Sequence, residues 1–319
     1  MKKKLTSFTL TLLSIILLLG LAGTVLGCTK EDFDKAVLAD SGRHLIYIGS
    51  DGSVDPAAAP IQRNGNTYTF TDDVYAPIVV DKEDIVIDGA GYTLQGSYNG
   101  TRTDLPIFFQ GTDQTSSNST VARWSVGIDL AKETIQNITV KNLNIKNFSI
   151  GIWLWTSNNT VTGNAITENI LGILLSASGN AITGNYIANN EQGIFFGANE
   201  PGNIPANTTL SQNCFISNLM QLSGCICVEY NETEDIHTWD DGQSGNYWSD
   251  YNGIDANGDG LGDTPYVIDV LNKDRYPLMQ LPVTPPTSAP KTPVELIVII
   301  GAFSTIAAVA VIGSKRKRR

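Results

Sequence analysis

The sequence predicts an all-β solenoid, a parallel β-helix of about six or seven coils, on three observations. First, Gly151-Ile-Trp-Leu-Trp-Thr-Ser-Asn-Asn returns 21 residues later as Gly172-Ile-Leu-Leu-Ser-Ala-Ser-Gly-Asn, and a third copy opens at Gly193. A fixed period near 20 residues marks a unit that cannot bury its own apolar face and must stack on its neighbours. Second, the repeats are rich in Ile, Val, Thr, Gly and Asn, a composition that favours short strands and turns over helices. Third, Asn recurs in pairs five apart: Asn142/Asn147, Asn164/Asn169, Asn185/Asn190 and Asn213/Asn218. Asn tolerates left-handed turn geometry, and its amide can bond the equivalent residue of the next coil.

In chain order, residues 1–28 read as an export signal, with Lys2-Lys3-Lys4 ahead of an uncharged apolar run from Leu10 to Leu26. Val25-Leu26-Gly27-Cys28 also has the form of a lipoprotein cleavage box, in which Cys28 would carry the lipid. Residues 29–82 are expected to form an N-terminal cap with strands around Leu45–Ile48 and Thr67–Phe70, since a bare end coil exposes an unpaired edge. The coils occupy residues 83–230 and begin at Asp84–Gly96. Later coils open on one phrase: Gly127-Ile-Asp-Leu, Gly151-Ile-Trp-Leu, Gly172-Ile-Leu-Leu and Gly193-Ile-Phe-Phe. Strand alternation then buries Ile128, Ile152, Ile173 and Ile194 with Leu130, Leu154, Leu175 and Phe196. Val161/Ile182 and Ile166/Ile187 repeat further along, which predicts three short strands per turn.

Residues 231–280 are a C-terminal capping segment, and 281–295 a stiff Pro/Thr-rich stalk. A transmembrane helix is predicted over 296–314. Its 18 uncharged residues from Leu296 to Gly313 would reach about 27 Å, near the thickness of a bilayer core. The basic tail 315–319 belongs on the cytoplasmic side, which puts the body of the chain outside. The expectation is a cell-surface protein anchored by one C-terminal helix.

Between Thr29 and Pro293 there are 13 Lys and Arg against 31 Asp and Glu, a balance of −18, and no Lys or Arg occurs from Phe148 through Asn272. Nucleic acid is excluded as a partner, because phosphate neutralisation needs cations. The same deficit disfavours an unassisted grip on acidic polysaccharide.

Several residues are candidates for sites. Asp129, Trp153, Leu174 and Phe195 face outward on the repeated strand, and Trp155 follows on the same side. Trp153, Trp155 and Phe195 could stack sugar rings, or a loop or the Tyr247–Tyr251 segment could fold over them. Asp255, Asn257, Asp259, the Leu261 carbonyl and Asp263 stand at positions 1, 3, 5, 7 and 9 of a Ca²⁺-type loop, with Gly260 at the turn. Tyr266 replaces the bidentate Glu, so any such Ca²⁺ site would be weak and structural; an Asp/Asn/Gly turn capped by its own side chains is the other reading. Seven sequons (Asn99, Asn118, Asn137, Asn147, Asn158, Asn207, Asn231) are potential glycosylation sites. Cys214 is expected to form a disulfide with Cys225 or Cys227.

Past the coils, Gly245-Asn-Tyr-Trp-Ser-Asp-Tyr-Asn-Gly leads into Asp255-Ala-Asn-Gly-Asp-Gly-Leu-Gly-Asp-Thr-Pro-Tyr266, then Lys273-Asp-Arg-Tyr-Pro-Leu-Met279. Together with the coils this resembles the NosD-like family of right-handed, pectate-lyase-like parallel β-helix proteins, in its membrane-tethered archaeal form. The resemblance spans roughly residues 40–280 and implies the label "periplasmic copper-binding". Copper sites are built from His, Cys and Met, and outside the signal this chain has only His44, His237, Met220, Met279 and its cysteines; copper is not expected. No catalytic residue is predicted. The leading expectation is a non-catalytic surface module that binds a polysaccharide or a cell-envelope protein. The alternatives are a carbohydrate-active hydrolase, lyase or epimerase, and a copper-handling accessory protein by descent.

Overall fold

The computed structural model describes residues 45–98, 125–197, 205–224 and 236–284. The signal, the span at 296–314, the basic tail, Cys225, Cys227 and the sequons at Asn99, Asn118 and Asn231 lie outside those residues. Among the described residues no helix is long and apolar enough to cross a membrane.

The chain enters through β1 (Ile46–Ile48), β2 (Val54–Asp55), β3 (Ile61–Asn64) and β4 (Thr67–Phe70). Five complete coils of three strands follow. They are β5 (Ile78–Val80), β6 (Val86–Asp88) and β7 (Thr93–Gln95); then β8 (Val126–Leu130), β9 (Thr139–Lys141) and β10 (Asn144–Lys146). The third and fourth are β11 (Ile150–Leu154), β12 (Thr160–Thr162), β13 (Ala165–Thr167) and β14 (Leu171–Leu175), β15 (Ala181–Thr183), β16 (Tyr186–Ala188). The fifth is β17 (Gln192–Phe196), β18 (Thr209–Ser211) and β19 (Cys214–Ile216). An incomplete coil with β20 (Met220–Gly224) and β21 (Tyr247–Trp248) closes the stack, and β22 (Tyr266–Val267) pairs with β23 (Lys273–Asp274) in the cap.

Strands of successive coils pair in parallel, giving three sheets. Their orders are β2-β1-β5-β8-β11-β14-β17-β20, β3-β4-β6-β9-β12-β15-β18 and β7-β10-β13-β16-β19-β21. The expected N-terminal cap proves to be part of the stack. β1 pairs in parallel with β5, β4 pairs in parallel with β6, and Val74 bridges to Leu94. What closes the end is the antiparallel addition of β2 to β1 and of β3 to β4. Reversed strands there break the parallel template that a further chain would extend.

From the second coil to the fifth, each corner turns on one left-handed residue. Asp84, Asn137, Asn158, Gly179 and Asn207 form the first column, with φ between 51° and 73°; Asn142, Gly163, Gly184 and Gln212 form the second. Asn147, Glu168, Asn189 and Ser217 form the third. The next residue faces inward: Leu143, Asn164, Asn185 and Asn213 at the second corner, and Phe148, Asn169, Asn190 and Asn218 at the third, all buried. This corrects the five-apart pairing of the sequence reading. Asn142 and Asn147 are the left-handed residues themselves, and Leu143 and Phe148 hold their ladder places.

From the third coil onward Asn fills the inner corner, because the strand ladder lapses there and the backbone needs partners. Asn185 Oδ1 accepts both the backbone N–H and the Nδ2–H of Asn164 at 3.0 Å, while its Nδ2 donates to the Val161 carbonyl at 2.8 Å and to Asn213 Oδ1 at 3.0 Å. The column runs through Asn213 to Asn246, which donates its N–H to Asp274 Oδ2 at 2.6 Å. A last rung receives protons and passes none on, a role a carboxylate fills.

Candidate functional site

The outer face of the first sheet carries the candidate site. One register row crosses it: Tyr47, Val79, Asp129, Trp153, Leu174, Phe195 and Ser223. A second apolar row was not evident from strict alternation. A Cβ on Gly151 would come within 2.5 Å of the Gly172 carbonyl and 3.0 Å of Ile166, so this glycine faces the core next to the core residue Ile152. Gly127 and Gly172 meet the same obstacle at 2.5 Å. Two inward residues in succession displace the preceding one to the outside. Val126, Ile150 and Leu171 accordingly join Trp153, Ala131 and Tyr98 in a second apolar cluster, separate from the core.

Trp153 is only 4% exposed, so it is no open platform as the sequence allowed. Its ring meets Trp155 edge-on, centroids 5.3 Å apart at 89°, and its Nε1 lies 3.4 Å from Ser176 Oγ. Trp155 and Phe195 remain half-buried. Tyr98 reaches along the face to donate its hydroxyl to Glu191 Oε1 at 3.0 Å.

Beside Trp155 the surface opens into a groove of about 450 Å³ lined by Glu133, Thr134, Ile135, Gln136, Thr156, Ser157 and Ala177. Its origin is a difference in loop length. Eight residues, 131–138, join β8 to β9, whereas five, 155–159 and 176–180, make the same turn in the next two coils. Residues 133–136 of the longer loop line the groove opposite Trp155. Lys132, at the root of this loop, is paired with Asp81, which also receives the Tyr47 hydroxyl. Glu133 is thus the charged residue that lines the groove. Sequence reasoning found Trp155 and missed its neighbours, although the lengthened repeat between Gly127 and Gly151 was a readable signal.

The other candidates fall elsewhere. In the Asp255 loop the side chains close the turn themselves. Asp255 Oδ1 accepts the N–H of Gly258 at 2.7 Å and of Asp259 at 3.1 Å, and Oδ2 that of Gly260 at 2.9 Å. Asn257 Oδ1 accepts from Asp259 at 3.0 Å, Asp259 Oδ1 from Leu261 at 2.9 Å, and Asp263 Oδ2 from Ala256 at 2.9 Å. Cys214 is a free, buried thiol whose Sγ lies 3.5 Å from the Val283 carbonyl; Cys225 and Cys227, its expected disulfide partners, lie outside the described residues. Burial pushes its pKa up. The described sequons Asn137, Asn147, Asn158 and Asn207 are all left-handed corner residues.

Those stacked coils, with the Tyr247-Trp248 segment added as a last strand, match one family, described as periplasmic copper-binding protein (NosD), over residues 59–253, more than half the chain. The chain belongs to the NosD family. Among curated proteins none matches it. Membership makes this an extracytoplasmic NosD β-helix protein. Among the described residues the copper in the family's description finds no fitting donor set; His44, Cys225 and Cys227 lie outside them. Cys214 sits on β19, Met220 is 44% exposed on β20, and His237 is enclosed by Phe196 and Trp239. Among the described residues no three His, Cys, Asp or Glu side chains converge.

Proposed function

We propose that this NosD protein is a non-catalytic, membrane-anchored cell-surface module that holds a neutral glycan in the groove beside Trp155. The observation that carries the reading is an aromatic ring, braced edge-on by a buried neighbour, on one wall of a groove whose rim offers hydroxyl and amide groups. A sugar presents an apolar C–H face for the ring and equatorial hydroxyls for Thr134, Gln136 and Ser157. The groove lining lacks Lys and Arg, which disfavours uronates and sulfated sugars. It holds one carboxylate, Glu133, whereas glycoside hydrolysis commonly takes two, about 5–9.5 Å apart.

The test is a glycan panel followed by calorimetry. Neutral oligosaccharide binding without reducing-sugar release, weakened at least tenfold by Trp155→Ala, is the expected result. Turnover, or an affinity unchanged in Trp155→Ala, overturns the reading.

A further inference from the structure

The C-terminal end of the solenoid is closed by an aromatic plug. Trp248 stacks between Phe215, at 4.4 Å, and Tyr266, at 4.2 Å, while Trp239 lies 6.1 Å from Trp248 and 6.2 Å from Phe196. His237 is set into this plug, 4% exposed, edge-on to Phe196 at 4.9 Å and to Trp239 at 5.9 Å. Its backbone N–H donates to Asn272 Oδ1 at 2.9 Å, and the same oxygen takes the Trp239 Nε1–H at 3.0 Å. Neither Nδ1 nor Nε2 of the imidazole has a hydrogen-bond partner. A buried imidazole normally has its N–H paired, because an orphaned donor costs the full desolvation of that group. Here the ring is held chiefly by aromatic contacts, with the Pro205 carbonyl near it but outside hydrogen-bond geometry.

We propose that His237 makes the C-terminal plug acid-releasable: a proton taken up by the ring places a charge between Phe196 and Trp239, and the plug opens to let that charge reach water. The charged groups around it leave the cation poorly compensated. On the turn before Asn272, Asp269 attracts it, but burial outweighs that attraction and the pull of the Pro205 carbonyl, so the pKa falls from 6.5 to about 4. Next to Trp239, Asp240 is already paired with Arg275, at 2.6 and 2.9 Å. On β23, Asp274 is occupied by N–H groups of Asn246, Trp248 and Tyr276. β17 contributes Phe196, which carries no charge.

The sign follows from linkage. A solvated His takes its proton near 6.5 and the plugged ring only near 4. Above pH 6.5 neither form is charged and the plug is unaffected. Between 6.5 and 4 the opened state binds more protons, so closure weakens as pH falls; below 4 the loss levels off. From pH 7 to pH 5 the opening equilibrium rises on the order of 20-fold. Asp274, whose pKa burial raises, pushes the other way, so a variant is needed to isolate the histidine.

Amide hydrogen-exchange protection of the 236–250 segment, measured on the full chain at pH 7 and pH 5, reads the opening. The expected result is a fall in protection on the order of 20-fold in the wild type and little change in His237→Phe, which keeps the ring and removes the proton site. Equal pH dependence in the two proteins overturns the proposal. Should His237→Phe not fold, ¹³C-histidine resonances of the wild type decide: His237 titrating near its ordinary value while the amides of 236–250 stay protected also overturns it.

Discussion

Asn185 shows how one side chain serves three coils. It closes the Asn164 backbone below and passes the ladder to Asn213 above. Asn185→Ala leaves the buried Asn164 N–H and the Val161 carbonyl without these partners, at about 1–3 kcal/mol for each group. Thermal unfolding should therefore show a loss of several degrees, whereas Asn158→Gly, at an exposed left-handed corner, should be neutral or slightly stabilising. The corner geometry also accounts for the described sequons. A left-handed Asn, an inward residue and the Thr or Ser that follows spell Asn137-Ile-Thr, Asn147-Phe-Ser, Asn158-Asn-Thr and Asn207-Thr-Thr. The triplet is a by-product of the turn, so its frequency alone carries no information about glycosylation. Cys214 is a second residue-scale test. Buried and with a raised pKa, it should resist alkylation at pH 8 in the folded chain and react on denaturation; peptide mapping would show fast labelling if the site were open.

At the scale of elements, the first sheet buries both of its faces over the middle coils. Ile173→Asp puts an unpaired carboxylate among stacked Ile and Leu and should cost several kcal/mol, enough to prevent folding. Trp153→Ala, harmless on an exposed platform, should instead cost about 3–5 kcal/mol, as large-to-small changes at buried aromatics do. A melting shift under about 2 °C for Trp153→Ala would show the ring to be unburied. The Asp255 loop is self-closing, so Asp255→Ala should lower stability even in excess chelator, because it strips acceptors from Gly258, Asp259 and Gly260. An effect confined to Ca²⁺-containing buffer would assign the residue to metal instead.

The whole molecule behaves as a stack in which each coil contacts its two neighbours. Deleting residues 172–192, one 21-residue period, should leave a shorter folded solenoid, since Ile194 then pairs where Ile173 did, against Ile152. Circular dichroism should keep its β signal with a lower midpoint. Removing one residue fewer shifts the register and turns side chains to the wrong face, and should abolish folding.

The core columns, and the corner Asn residues from Asn164 onward, were legible in the sequence because neighbouring coils repeat. A column of Ile128, Ile152, Ile173 and Ile194 is a period, and a period is local information. Strands near Ile46–Ile48 and at Thr67–Phe70 were expected as parts of a cap, though their parallel pairing into the stack was not. Only the tertiary structure decided that Trp153 is covered, that the loop 131–138 raises a wall beside Trp155, that Cys214 is buried and that His237 is sealed between Phe196 and Trp239. Each of these depends on segments that occur once and pack across the stack. Repetition fixes what a coil shows its neighbour, while the outer faces and the ends are set by unique chain laid over them, and such contacts leave no periodic trace.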